Sequence, residues 1–453
     1  MNEVRFPSAF EQRMRQHLGK KWKEFATAHE QPSPISIRTN PTKIKHHASP
    51  SPIPWTSTGF YLDERPSFTL DPAFHAGSYY VQEASSMFLE QAFLQSVDQT
   101  KSLNVLDLCS APGGKSTHLL SLINKQSLLV SNEVIRSRAS VLAENIQKWG
   151  HDNVVVTNND PQDFQRMPGF FDVIVVDAPC SGEGLFRKDP DAMKEWSPDN
   201  VALCSKRQRR ILSDCWPALK QGGILIYSTC TYNESENEDN LEWLKKEHDV
   251  EFIPIQLDEK WGVETIEQPG IAYRLFPHKV KGEGFFLSVM RKTSEGTERR
   301  MKDKNSFTGP SKKIVEHLRP WMLQPEEKTF IIRNDQIQFF PKNKTGEIEF
   351  LAKNTYIIAA GTILASLKHD KLIPEHPFAL SIELNKKNFN VLEVNLPEAL
   401  QFLRKETMNV MTREKGFALI LYQNLPLGWV NVLDNRMNNL YPSEWRIRMM
   451  DKN

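Results

Sequence analysis

The chain has 453 residues, 39% of them hydrophobic and 25% charged, with a formal net charge of +1. This is a globular profile for roughly two to four domains, and the near-neutral balance excludes a molecule-wide field that would attract nucleic acid. No apolar run approaches the roughly eighteen residues needed to span a bilayer. MNEVRFPSAFEQRMRQ carries charges where a signal peptide has an apolar stretch, so a cytoplasmic protein with no membrane partner is expected. The five cysteines, Cys109, Cys180, Cys204, Cys215 and Cys230, form no CxxC pair and no metal-ligand spacing. They are expected as free thiols, with no metal.

The first 95 residues read as a helical or mixed extension with a Pro/Ser-rich patch, HHASPSPIPW (46–55). Residues 96–293 then alternate strands with helices. LNVLDLC (103–109), SLLVSNE (127–133), NVVVTNND (153–160), FDVIVVDAPC (171–180) and GGILIYSTC (222–230) are the strands, and GEGFFLSVMRK (282–292) is a late one. Between them STHLLSLIN, RSRASVLAENIQKWG, the long segment from Asn200 to Gly223 and ESENEDNLEWLKKEH are helical, with Pro217 kinking the third. The fourth strand is almost continuously apolar, as a strand buried on both faces should be. This alternation predicts an α/β fold, a doubly wound sheet with a late antiparallel strand.

KTSEGTERRMKDKNSFTGPSKK (292–313) reads as a linker, opening a segment at 294–375 with a first C-terminal domain; 376–453 forms the last. The tail carries short strands, such as TFIIRNDQIQFF and GFALILY, and one helix, PEALQFLRKETMNV. Basic clusters stand at Lys20, Lys21 and Lys23; Lys43 and Lys45; Lys206, Arg207, Arg209 and Arg210; and Lys279 and Lys281. Such clusters are commonly no more than solvated faces.

CSAPGGKST (109–117) ends like a nucleoside-triphosphate loop. That motif needs glycine at the first position, and Cys109 stands there, where a Cβ would crowd a phosphate-wrapping backbone. The other use of a glycine-rich turn after a first strand is to let backbone approach a flat nucleoside. Gly113 and Gly114 supply that approach; Glu133, ending the second strand, can accept ribose hydroxyls. Asp160 ends the third strand and can accept from an adenine amino group; Asp177 ends the fourth. One acid alone reads equally as a cap or turn residue. Together they suit S-adenosylmethionine better than NAD, since GxGxxG and a second mononucleotide half are missing.

DAPCSGEG (177–184) and STCTY (228–232) follow neighbouring strands, so Cys180 and Cys230 should face one cleft. Cys204 and Cys215, on one helix, read as inert core thiols. A thiolate adding to carbon 6 of cytosine makes carbon 5 nucleophilic toward a donor methyl, and Asp177 can stabilise the charge that develops on the ring. An Asn/Asp-Pro-Pro-aromatic turn for amino methylation is not present; the turn is Asp-Ala-Pro-Cys.

LDLCSAPGGKSTHLL, SNEV, VDAPCSGEGLFRKDP, YSTCTYNESENE and RLFPHKVKGEGFF, with SIRTNP and GSYYVQEASSMF before them, resemble the Sun/nucleolar-protein family of RNA cytosine-5 methyltransferases, in the bacterial RsmF type. The resemblance implies a Rossmann-like methyltransferase core, S-adenosylmethionine as donor and small-subunit ribosomal RNA as substrate. It implies Cys230 as nucleophile and Cys180 as the residue that assists release. Cys109, Ser110, Ala111, Pro112, Gly113, Gly114, Lys115, Glu133, Asp160 and Asp177 are implied to hold donor or base. LPLGWVNVLDNRMNNLYPSEWRIR (425–448) resembles the PUA-like RNA-binding domain of that type, giving an α+β C-terminal region. Asn431, Asn438 and Ser443 stand where that family tends to have lysine, which leaves Trp429, Tyr441 and Trp445 either to stack on bases or to pack inside. The expected protein is a monomeric enzyme that binds ribosomal RNA or the small subunit. The alternatives are the same reaction on transfer RNA and a non-catalytic RNA-binding assembly factor.

Overall fold

The structure, a computed structural model, describes residues 5–44, 51–294, 307–368, 371–408, 414–434 and 436–449. Lys45, half of the Pro/Ser patch and residues 295–306 of the expected linker lie outside the described residues.

The central sheet has ten strands. In chain order they are β1 (Asn104–Asp107), β2 (Leu128–Asn132), β3 (Val154–Thr157), β4 (Phe171–Asp177), β5 (Leu219–Thr229), β6 (Val250–Phe252), β7 (Glu264–Ile266), β8 (Ala272–Leu275), β9 (Phe285–Lys292) and β10 (Ile357–Ala360). Strands β1 to β5 are parallel neighbours in the order β3-β2-β1-β4-β5. The order reverses between β1 and β4, and such reversals open a crevice at the strands' C-terminal ends. β9 then runs antiparallel against β5, and β8 and β7 extend that edge.

Alternating residues feed two cores. Val105, Leu129, Val173, Val175 and Ile226 pack on one face, and Leu106, Val130, Ile174, Val176 and Leu225 on the other. Apolar residues on both faces explain why β4 reads as an unbroken run. Gly113 adopts a left-handed φ of +114° and opens the helix Gly114–Leu122. Gly150 does the same, at φ +90°, where Arg136–Trp149 ends. The helix expected through Pro217 stops at Cys215 and tightens into a 3-10 turn at Trp216–Ala218 that carries the proline.

The N-terminal extension is more than helical. After helices Ser8–Leu18 and Trp22–His29, strands Ile35–Thr39, Gly59–Leu62 and Tyr79–Val81 form a small antiparallel sheet. Arg38, wholly buried, leaves that sheet to stack 4.5 Å over Trp149. It also donates to Gln82 and Thr117 at 2.9 and 2.6 Å, which locks the extension to the Gly114–Leu122 helix.

The C-terminal region carries two four-stranded sheets. The first, Lys328–Arg333, Gln336–Pro341, Thr362–Lys368 and Lys371–Pro374, is joined to the core. Between its members the chain sends β10 antiparallel onto β3, covering the parallel sheet's open edge. Phe340, Ile348 and Leu351 from this segment pack into the same core as Leu106 and Val130. The second sheet, Asn390–Glu393, Gly416–Tyr422, Leu425–Val432 and Met437–Asn439, buries Trp429 and Tyr441. These two rings are therefore packing residues, and half-buried Trp445 faces the Lys148 ammonium at 5.0 Å. Among the described residues no helix is long and apolar enough to cross a membrane.

Candidate active site

β4 and β5 pair in parallel with Asp177 opposite Ser228. Cys180 stands three residues beyond the first and Cys230 two beyond the second, so both chains bring a sulfur to the same place. The two Sγ atoms are 3.1 Å apart. Ser228 donates to Asp177 Oδ1 at 2.8 Å, and Lys115 Nζ reaches Asp177 Oδ2 at 2.7 Å. Lys115 also lies 5.2 Å over the Phe285 ring.

The thiols sit in different settings. The hydrogen bond to Cys230, then burial, pushes the Cys180 thiol well above the ordinary range, and the Glu236 charge adds to this. Cys180 therefore holds its proton and can share it with the Cys230 sulfur. Burial would lower the Lys115 ammonium, but the Asp177 carboxylate outweighs it and raises the pKa. Lys115 is a permanent cation beside the thiol pair.

A buried carboxylate fixes both cysteine loops. Glu236 accepts from the Ser181 backbone at 2.8 Å, from the Ser181 hydroxyl and from Gln208 at 3.0 Å. Ser181 also meets Thr231 at 3.1 Å. Since Ser181 follows Cys180 and Thr231 follows Cys230, this chain of bonds holds the sulfurs in register. The loops also touch through backbone: Gly184 donates to Cys230 O at 2.8 Å, and a Cβ on Gly184 would stand 2.5 Å from Gly284 O.

On the side of the glycine-rich turn, a cleft of about 160 Å³ is lined by Cys109, Ser110, Ala111, Pro112, Gly114, Lys115 and Asp177. Tyr80, Gln82, Glu83 and Ser86 also line it. Burial, then the Asp107 and Asp177 charges, raises the Cys109 thiol, which suits a wall residue and not a nucleophile. The glycine-rich turn, the cation-carboxylate pair and the hydroxyl and amide groups suit the amino-acid end of a nucleoside that carries one; the cleft itself holds only part of such a molecule. A larger hollow of about 910 Å³ between the Leu120–Gln126 region and the tail contains no thiol and none of the residues nominated above.

Glu133 and Asp160 stand off this cleft's lining. Glu133 is 3% exposed, accepts from Ile135 N at 2.9 Å and pairs with Arg138 at 3.3 Å. Asp160 caps Gln162 N at 3.1 Å and is gripped by Arg210 at 3.2 Å. An adenine amino group would have to share Asp160 with that guanidinium. Asn132 joins the edge between them: it donates to Leu108 O at 3.2 Å and Asn159 O at 3.0 Å and accepts from Thr157 at 2.9 Å. Asn132, Gln82, Ser228 and Glu236 lie inside the motif stretches SNEV, GSYYVQEASSMF and YSTCTYNESENE, but nothing in those stretches singled them out for a role. Of the basic clusters, Lys43 turns its ammonium inward to Ala76 O and Lys148 O at 2.7 and 2.6 Å, and burial pushes it down to about 7.

Comparisons with known proteins agree across the chain. Residues 93–291 match the family described as 16S rRNA methyltransferase RsmB/F, residues 6–84 the N-terminal domain of 16S rRNA methyltransferase RsmF, and residues 389–447 the methyltransferase RsmF PUA domain. The ribosomal RNA small subunit methyltransferase F of Enterobacter sp. (strain 638) is 31% identical over 98% of this chain and 96% of its own. A methyltransferase homolog from Pyrococcus horikoshii is 30% identical, with a TM-score of 0.54 over 63% of this chain and 95% of its own. NSun6 from the same organism, solved with SFG, shares the fold at 20% identity, with a TM-score of 0.53 over 64% of this chain and 99% of its own.

Proposed function

The chain belongs to the ribosomal RNA small subunit methyltransferase F family, and on that premise we propose that it methylates carbon 5 of cytosine in 16S ribosomal RNA. The observation that carries the reading is the thiol pair, 3.1 Å apart, beside the Lys115–Asp177 ion pair. A binding module or assembly factor needs neither.

S-adenosylmethionine is the methyl donor and supplies an electrophilic methyl carbon. Cys109 to Lys115 would hold it, with the glycines clearing the approach and Glu133 and Asp160 at the flanking strand ends. The remaining chemistry belongs to the protein's side chains. The Cys230 sulfur adds to carbon 6 of the cytosine, and the carbon 5–carbon 6 double bond shifts its electrons to carbon 5. Asp177, held by Ser228 and Lys115, faces the ring nitrogen, takes up the proton that the Cys230 thiol gives up and passes it to that nitrogen, which offsets the negative charge built up during addition. Once carbon 5 is methylated, Cys180 hands its proton to the leaving Cys230 sulfur and its own sulfur takes the carbon 5 proton, so the double bond re-forms as the carbon–sulfur bond breaks. Cys180, kept protonated in the resting site, is the group beside Cys230 that assists release.

Ribosomal RNA is favoured over transfer RNA because the match to RsmF extends through the N-terminal and PUA segments as well as the core. We further propose residues 1–95 as the RNA-binding extension, 96–293 as the catalytic domain and 376–453 as the PUA-like RNA-binding domain. The test is bisulfite mapping of 16S ribosomal RNA from cells with and without the gene. A cytosine protected only when the gene is present is expected. Protection confined to transfer RNA would move the substrate, and no protected cytosine would remove the reading.

A further inference from the structure

A second concave site lies behind the nucleophile's loop. Helix Ser8–Leu18 and helix Pro198–Cys215 face each other across a groove of about 520 Å³. Arg13 comes from the first helix and Lys206 and Arg209 from the second; Trp196 is a buried residue of the wall, and Asn233 and Ser235 form the floor. Among the described residues the lining holds three cations and no carboxylate.

The floor belongs to the active site. Asn233 is three residues past Cys230, and it donates to buried Glu183 at 3.2 Å. Glu183 also receives Arg13 at 2.6 Å and the Trp196 indole at 3.0 Å. Ser205 donates to Ser235 O at 2.7 Å, and Gln208 to Pro179 O at 3.0 Å, so the second helix is pinned to both cysteine loops. Arg209 is held at 2.9 Å by Asn240 and lies 6.0 Å over Trp243. Lys206 stands exposed at the mouth.

We propose that this groove binds a nucleotide of the RNA strand flanking the target cytosine, with Lys206 and Arg209 facing its phosphate. The inference rests on the proposed RNA methylation. A base that reaches Cys230 must leave its stack, and the backbone on either side of a flipped base must be gripped for it to stay out. Cations beside apolar helix positions such as Ala9, Pro198 and Ala202 suit single-stranded nucleic acid, a charged track with an apolar surface for a base. The protein's net charge of +1 makes a local concentration of cations at the reacting loop the more telling.

Two exposed positions test it, Lys206→Glu, which reverses the charge at the mouth, and Ala202→Trp, which fills the groove from an exposed helix face. The probe is a fluorescein-labelled single-stranded RNA carrying one cytosine, titrated by anisotropy across a salt series. Binding is expected to weaken about tenfold in each variant, and the slope of log K against log salt to fall by about 0.7 for Lys206→Glu, the loss of one single-strand phosphate contact. Affinity for S-adenosylhomocysteine should stay at the wild-type value. Unchanged RNA affinity and slope in both variants would overturn the groove, as would weakened binding to assembled subunits but not to naked RNA, which points to a protein contact. The titration needs no turnover, so it reads the groove separately from the proposed methylation, whose failure is the loss of methyl transfer by the unaltered protein.

Discussion

At the scale of single residues, two adjoining thiols and the groups that hold them set the chemistry. Lys115 connects the donor cleft to the thiols because its ammonium is bound by Asp177 and lies over Phe285. Lys115→Met removes the cation and leaves a partly buried carboxylate without its partner, so affinity for S-adenosylmethionine should fall by about tenfold or more, read by calorimetry. An unchanged affinity would detach Lys115 from the donor. Glu236 makes a second case. Glu236→Gln keeps the shape but turns one acceptor into a donor facing Ser181, so kcat should drop by about tenfold while RNA affinity holds. Equal losses in both would mean that the loops have unfolded. Cysteine and aspartate at these positions were legible because each sits inside a contiguous motif at a strand end. Glu236 lies inside YSTCTYNESENE as well, but its role was not legible, because it comes from Ser181 and Gln208, which lie 55 and 28 residues away in the chain. The same holds for Gln82, whose place in the cleft wall depends on Arg38 and on strand pairing far from the glycine loop.

At the scale of elements, helix ends and strand edges set the site's frame. Gly150 closes the helix before β3 at φ +90°, and a Cβ there would stand 2.3 Å from Leu380 O. Gly150→Ala should cost about 2–3 kcal/mol, combining the left-handed strain with the clash, and lower the urea midpoint accordingly. Ser197 caps the long helix through Asn200 N at 3.1 Å, and Ser197→Ala should cost about 1 kcal/mol in the same assay. Strand positions were readable from apolar runs, and the glycine after Trp149 marked its helix end. The small N-terminal sheet was not readable, because strands such as Ile35–Thr39 are short and lie between prolines and helices. Nor was β10, whose four residues become a strand only because β3 offers an unpaired edge.

At the scale of the molecule, the tail is part of the fold. A chain ending at residue 293 would uncover the β3 edge and remove Phe340, Ile348 and Leu351 from the core. It should lose soluble, cooperative unfolding, so a drop in RNA binding by such a chain would not isolate the PUA-like domain. Acid sensitivity is built in as well. Burial pushes His29, His75, His118 and His151 down to about 4 from an ordinary 6.5. Between those values the unfolded chain binds more protons than the folded one, so stability is full above the ordinary value and is lost as pH falls through the folded one. Glu90 adds to this: burial alone would raise it, but the bond from His118 brings it down to about 2, so its contribution is present above 4.5 and lost as pH falls through that lower value. The histidines, and Glu90 at the acid end, therefore pull the urea midpoint down between about pH 7 and about pH 4.5, against the opposite pull of Asp107, which burial raises to about 6; imidazole proton signals that titrate with an ordinary midpoint would contradict burial of neutral imidazoles.

The central claim is that Cys230 is the sulfur that bonds to the base. Peptide mapping of the protein trapped on 16S ribosomal RNA containing 5-fluorocytosine reads this directly. The nucleotide mass is predicted on the peptide holding Cys230, retained in Cys180→Ala and lost in Cys230→Ala. Mass found on Cys180, or trapping that survives Cys230→Ala, would contradict it.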